Sequence, residues 1–277
     1  MAAPGSAHKT ALARPDTLAP RHFGVDYYVF LCILSLIGEK TLVPSFLDIL
    51  TEALGLILSW ERALSEIVIL SLRVTLTAVV ISCVLGLPLG AMVGAFRFPG
   101  RGLLTVILNA LMGLPPVVVG LMVYLTLSAS GPMGALQLLY TPAAMIIAQT
   151  ILVTPIVAAL TKQVVEDLHG EYAEQFASFG LTARGRIAAL LWDARYSLLT
   201  VALAGFGRAV AEVGAVLIVG GNINHVTRVI TTTIALETSK GNLELALALG
   251  VLLLGLAVIV NAGVMALRAS AVRAAYA

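Results

Sequence analysis

Residues 171–196, EYAEQFASFGLTARGRIAALLWDARY, form the one long polar stretch in an otherwise apolar chain. Hydrophobic runs flank it on both sides, and Gly180 divides it into two segments with helical apolar spacing. Phe176 and Phe179 crowd one side of the first segment, while Ile187, Leu190, Leu191 and Trp192 give the second an apolar face. Arg184 and Arg186 stand near the turn. Two amphipathic helices joined at a glycine make either a folded, basic docking knob for a soluble partner or a helix pair lying among lipid headgroups. Amphipathicity alone does not choose between them.

Composition sets the surroundings. Hydrophobic residues make up 59% of the chain and charged residues 12%, with a mean hydropathy of +0.99. That excludes a soluble domain and predicts an all-α polytopic membrane protein, with lipid as its surroundings and nucleic acid not among its partners. The net charge of +2 matters less than where the basic residues stand. Cys32 and Cys83 both lie in apolar surroundings, and the four histidines are far apart, so neither a disulfide framework nor a metal site is expected. The first twenty-odd residues lack the apolar core of a cleavable signal.

Residues 1–44 read as an N-terminal extension, Ala- and Pro-rich and partly disordered. Within it Tyr27–Ile37 is apolar but by itself too short to cross a bilayer, so it is either a re-entrant or surface segment or, extended through Leu42–Leu50, an extra span that would make six crossings. Residues 45–62 have the spacing of an interfacial amphipathic helix. A transmembrane domain follows over 63–268, with spans near 74–96, 103–127, 142–160, 198–219 and 245–267 and a tail at 269–277. The first helix is expected to start earlier than its span, near Leu64. Pro115-Pro116 must break the hydrogen-bond ladder of the second. The polar loop over 163–196 separates the third and fourth. Arg97 and Arg101, then Lys162, Arg184, Arg186 and Arg195, then Arg268 and Arg273 fall on one side of a five-span path. By the positive-inside rule that side is cytoplasmic.

Few residues at span depth carry chemistry. No G-x-x-x-x-G-K-[ST] run occurs, so ATP is not bound through a P-loop. Gly86, Gly90 and Gly94 form a small-residue ridge suited to close helix contact. Asn109, Gln149, Thr150 and Thr154 suit hydrogen bonds between helices. Arg208 and Glu212 stand four apart on one helical face, where an unpaired charge costs about 2.5 kcal/mol or more. They are either a salt bridge holding helices together or part of a path on which Arg208 meets an anion. Gly220-Gly221-Asn222 ends that span, and a polar loop with Arg228, Thr231–Thr233, Glu237 and Lys240 follows on the outer side.

Glu174, Gly180 six residues on and Leu190 ten further resemble the cytoplasmic coupling loop of ABC importer permeases. Gln175 and Phe176 stand where that family has two alanines, and Trp192-Asp193 where it has Leu-Pro. NALMGLPPVVVGLMVYLTLSASGPMG (109–134), TPAAMIIAQTILVTPIVAALT (141–161), GFGRAVAEVGAVLIVGGNI (205–223) and TRVITTTIALETSKGN (227–242) together resemble permeases of the tungstate-type ABC importer. Molybdate and sulfate permeases rank behind, and the resemblance covers about Phe46 to Arg268.

The resemblance implies a type I permease core of about five transmembrane helices in a bacterial or archaeal cytoplasmic membrane. It implies a homodimer, two ATPase subunits and a periplasmic or lipid-anchored oxyanion-binding protein. ATP and Mg would sit on the ATPase, leaving this chain non-catalytic and without a cofactor. Glu174, Gly180, Ala183, Arg184 and Arg186 would serve coupling, Arg208 and Glu212 the translocation region, and Gly220, Gly221 and Asn222 an outer gate. A secondary carrier is the alternative of another class, although inverted halves are not evident across five spans. A membrane-embedded enzyme lacks a nucleophile–base set or paired carboxylates at span depth.

Overall fold

The computed structural model describes residues 62–276 and, ahead of them, Thr51 and Gly55. The extension expected over 1–44 lies outside the described residues, as does nearly all of the amphipathic helix expected over 45–62. Among the described residues the chain is built of nine α-helices and one 3-10 turn.

Helix α1, Arg62–Ala95, holds 34 residues and so rises about 51 Å, well beyond the roughly 30 Å of a hydrocarbon core. That surplus leaves room for Glu66 and Arg73 in its early turns. Helices α2 (Arg101–Met112) and α3 (Pro116–Leu127) replace the single second span expected over 103–127, and they meet at 98°. Pro115 is extended (φ −64°, ψ 120°) and Pro116 opens α3, so the double proline ends one helix and starts another. A 3-10 turn, Gly134–Leu136, follows.

Helix α4, Pro142–Ser178, runs unbroken for 37 residues. The span expected over 142–160 and the first amphipathic segment of the polar stretch are therefore one rod, not a span and a separate loop helix. Helix α5 is Ala183–Asp193 and α6 is Arg195–Val210. The fourth span, expected as continuous over 198–219, breaks at 211–213 before the short α7, Gly214–Gly220. Helix α8, Ile230–Lys240, occupies what reads as an outer polar loop. Helix α9, Leu243–Tyr276, closes the chain and carries the expected 269–277 tail as helix through Tyr276. Helices α1, α4 and α9 are long and apolar enough to cross a membrane, and up to five spans result if the bent pairs α2–α3 and α5–α6 each count as one.

Helices α1 and α4 form the central contact. Their closeness is set by Gly86, Gly90 and Gly94: a Cβ at Gly90 would run into the Ala158 carbonyl, and one at Gly94 would stand 2.8 Å from the Lys162 carbonyl. The ridge is thus a backbone-to-backbone seam. Gly90→Ala is expected to cost about 1–3 kcal/mol by overpacking, read as a lower thermal midpoint in detergent. Gly102→Ala, where a Cβ meets nothing within 4 Å, is the silent control. At the basic end of this pair Glu166 of α4 receives Arg101 (2.7 Å) and Lys162 (2.5 Å). Arg101 also donates to the Val93 carbonyl at 2.8 Å, which ties the α1–α2 turn to α4.

Candidate functional site

At the basic end, α4 stops at Ser178 and the chain reverses through Gly180, whose φ of +60° suits a residue without a Cβ. Thr182 then caps α5, its hydroxyl accepting the Gly185 N–H at 3.3 Å. The inner face of α5 is closed. Leu190 is fully buried, with Ile187 and Leu191 beside it, against Ala91 and Ala95 of α1 and Val165, Tyr172 and Phe176 of α4. Helix α5 is therefore a fixed knob seated on α1 and α4, not a floating loop.

The apolar residues of the stretch do not all share that seat. Phe176 packs on Tyr172, with ring centroids 5.8 Å apart, whereas Phe179 is 76% exposed. Trp192, expected on the packed face, is 72% exposed, with the Arg195 guanidinium over its ring at 5.0 Å. The cause is register: Leu190 and Leu191 fill the seat, and Trp192 falls beyond it. Ala183 and Arg184 are exposed, while Arg186 is half-buried. Glu174 is exposed, and among the described residues its carboxylate has neither a hydrogen bond nor an ion pair, so it does not fasten the joint. Thr182 was legible only as an ordinary N-cap residue; Phe179 and Trp192 carried no signal separating exposed from buried.

Toward mid-molecule, Arg208 donates to Glu212 at 2.6 Å. The salt bridge lies at the break between α6 and α7, and Glu212, 4% exposed, explains that break. Its second carboxylate oxygen accepts the Ala215 N–H at 3.0 Å, capping α7, while its backbone carbonyl accepts the Thr231 hydroxyl at 2.9 Å. Gln149 of α4 donates to the Ala209 carbonyl at 3.2 Å. A cavity of about 20 Å³, bordered by Ser71, Thr75, Gln149, Glu212 and Thr231, adjoins the pair. It has room for about one water molecule. Of the other polar residues at span depth, Thr154 bonds within its own helix to the Thr150 carbonyl, and Asn109 is exposed.

At the far end, Gly220-Gly221-Asn222 forms a corner with Gly221 at φ +68° and Asn222 at φ +50°. Thr227 donates to the Gly220 carbonyl at 2.5 Å and its oxygen accepts the Ile223 N–H at 2.9 Å. The Asn222 side chain meets the Thr232 hydroxyl at 3.0 Å. Thr231, Thr232 and Thr233 are buried, so this segment is no solvated loop. A run of β-branched threonines hid the helix, since their hydroxyls bond inward to Glu212, Asn222 and Val229. Glu237 accepts Lys240 at 2.8 Å and Asn242 at 3.1 Å, and these bonds, led by Lys240, hold its carboxyl below the usual range despite burial. The ETSKGN run is thus the C-terminal lock of α8. Among the described residues, one hydrogen-bonded chain links Glu212 to α8 and α8 to the corner.

The family model "Binding-protein-dependent transport system inner membrane component" matches residues 86–271. A probable anion ABC transporter permease protein of Haloferax volcanii is 43% identical over 204 residues, covering 72% of this chain and 88% of that one. The tungstate uptake system permease protein TupB of Peptoclostridium acidaminophilum is 39% identical over 216 residues, covering 78% and 95%. The sulfate transport system permease protein CysT of Escherichia coli is 26% identical over 212 residues, covering 73% and 75%.

Proposed function

The chain belongs to the family of binding-protein-dependent transport system inner membrane components, and from that membership we propose that it is the permease of an ATP-driven importer whose cargo is tungstate. It is a non-catalytic, multi-pass membrane subunit. The cargo assignment draws on relatives named for tungstate uptake, which are closer in sequence than those named for sulfate transport. The basic end faces the cytoplasm of a bacterium or archaeon. Two copies of the chain enclose the path, two ATPase subunits hold ATP and Mg against the knobs, and an external binding protein delivers the oxyanion.

The knob is the observation that carries this reading. Helix α5 is anchored by Leu190 yet presents Arg184 and Trp192 to solvent, and Phe179 is exposed in the reversal just ahead of it. A rigid element with exposed aromatics suits a socket on a soluble partner, because such side chains dominate interface energies. Movement of the ATPase pair against α5 reaches the membrane through its packing on α4, which runs unbroken from that seat into the span. Glu174, Gly180, Ala183, Arg184 and Arg186 set the coupling geometry. Arg208 and Glu212 belong to the translocation region, and Gly220, Gly221 and Asn222 to the outer gate.

The test is ATP hydrolysis by this chain reconstituted with its ATPase, with binding protein added empty or loaded with tungstate, molybdate or sulfate. Stimulation by the tungstate-loaded form alone is expected. Phe179→Ala is expected to lower that stimulation about tenfold by removing an interface anchor. If the chain assembles with no ATPase, the importer reading is wrong and a secondary carrier takes its place. Stimulation by sulfate or molybdate instead would reassign the cargo.

A further inference from the structure

We propose that the far-end cavity between α1 and the 221–229 loop is a binding site for a tetrahedral oxyanion, built on Arg73 and Arg228. Its placement on the outer face, and the oxyanion as cargo, rest on the importer reading above.

The cavity measures about 260 Å³, against about 20 Å³ for the one beside Glu212. Arg73 borders it from α1, and among the described residues its guanidinium has no hydrogen bond or ion pair. Arg228 borders it from the loop and is held in place: it donates to the Asn224 side chain at 3.2 Å and to the Asn222 carbonyl at 3.5 Å. Its Nε is buried and lacks a protein partner among the described residues. Among the described residues Glu66 is the one carboxylate lining the cavity, and it already receives His225 Nδ1 at 2.7 Å. Two guanidinium groups against one carboxylate leave the described lining net positive whether or not His225 is protonated. Guanidinium forks match the oxygens of a tetrahedral anion in geometry as well as charge.

Position adds a second argument. The part of α1 from Arg73 to Ala95 rises about 33 Å, close to the thickness of a hydrocarbon core. With Ala95 at the cytoplasmic boundary, Arg73 stands at the outer headgroup level. Arg228 also donates to the carbonyl of Asn222, so an anion held on it is one side chain away from the corner at Gly220-Gly221-Asn222. The same chemistry describes a free oxyanion released by the binding protein and the phosphate of an anionic lipid.

The full chain with its ATPase, in phosphatidylcholine nanodiscs without binding protein, is dialysed against tungstate and the bound metal is counted. Saturable binding of one tungstate per chain is expected, with affinity reduced at least tenfold in Arg73→Gln/Arg228→Gln. Arg73→Gln alone, at an exposed side chain with no partner among the described residues, is expected to spare folding and to weaken binding at least threefold. A parallel arm uses phosphatidylglycerol nanodiscs and native mass spectrometry. Lipid retained by the wild type and lost by the double variant, with no tungstate bound, identifies lipid phosphate as the oxyanion. Undiminished tungstate and lipid binding by the double variant overturns the site, as does a wild type that binds neither. Uptake from tungstate-loaded binding protein is scored separately: its failure in a wild type that binds tungstate sinks the importer reading and leaves the site standing.

Discussion

Glu212→Ala lowers the thermal midpoint of the purified chain by roughly 10 °C, the largest loss of stability expected from a single substitution here. Glu212 is almost fully buried, pairs with Arg208 at 2.6 Å and caps α7 through the Ala215 N–H. Truncation leaves that N–H without its cap and Arg208 without its counter-charge. Losing a cap costs about 1 kcal/mol. Breaking a fully buried pair costs about 3–5 kcal/mol. The side chain of Arg208 is 30% exposed, which trims that figure and puts the sum near 3 kcal/mol. Glu212→Gln keeps an oxygen for Ala215 and loses the charge, so it falls between wild type and Ala. Arg208→Gln/Glu212→Gln removes both charges and is expected to recover most of the loss. A double variant no more stable than Glu212→Ala would show that the pairing is not what holds this break.

Gly180→Pro has the largest expected effect on transport, a fall in ATP-driven uptake of about a hundredfold, with the chain still inserted in the membrane. Proline fixes φ near −65°, whereas Gly180 sits at +60°, so α5 must leave α4 in another direction. Added bulk contributes nothing, because a Cβ at Gly180 meets no atom within 4 Å. The effect therefore acts on backbone direction alone. Gly180→Asn, which tolerates the left-handed region, is expected near wild type, and Gly180→Ala between the two. Uptake that ignores this order would remove Gly180 from the coupling geometry. The knob's packing through Leu190 lies away from the corner, so thermal stability is expected to fall less than in Glu212→Ala.

The contrast between these two positions also shows what the sequence made legible. A glycine between two amphipathic segments signals a corner, and the corner is there, because only backbone freedom was at stake. The ridge of Gly86, Gly90 and Gly94 and the break at Pro115-Pro116 were legible for the same reason: each follows from local sterics. The break at 211–213 was not. It contains neither proline nor a polar run, and Glu212 creates it by accepting from Arg208 and Ala215 at once, a tertiary outcome invisible to periodicity. Helix α8 was hidden by its threonines, whose hydroxyls look solvated until their partners are known. The fusion of the third span with the following amphipathic segment was hidden by composition, since Lys162, Glu166 and Asp167 suggest a loop while the backbone simply continues. Exposure of Phe179 and Trp192 depends on which residues fill the seat of α5, and spacing gives a face only to within about a residue.

Helix α4 has a mechanical consequence. At 37 residues it is a strut about 55 Å long with one end under the knob and the other beside the far-end turn. It is held to α1 along a seam too tight for a Cβ. On the importer reading, a push on α5 would be delivered across the bilayer as leverage, and the breaks at Pro115 and at 211–213 would be the parts that yield. The described residues thus divide into long paired rods and two elbows, and on that same reading the elbows are where this chain would bend as the passage between two copies opens.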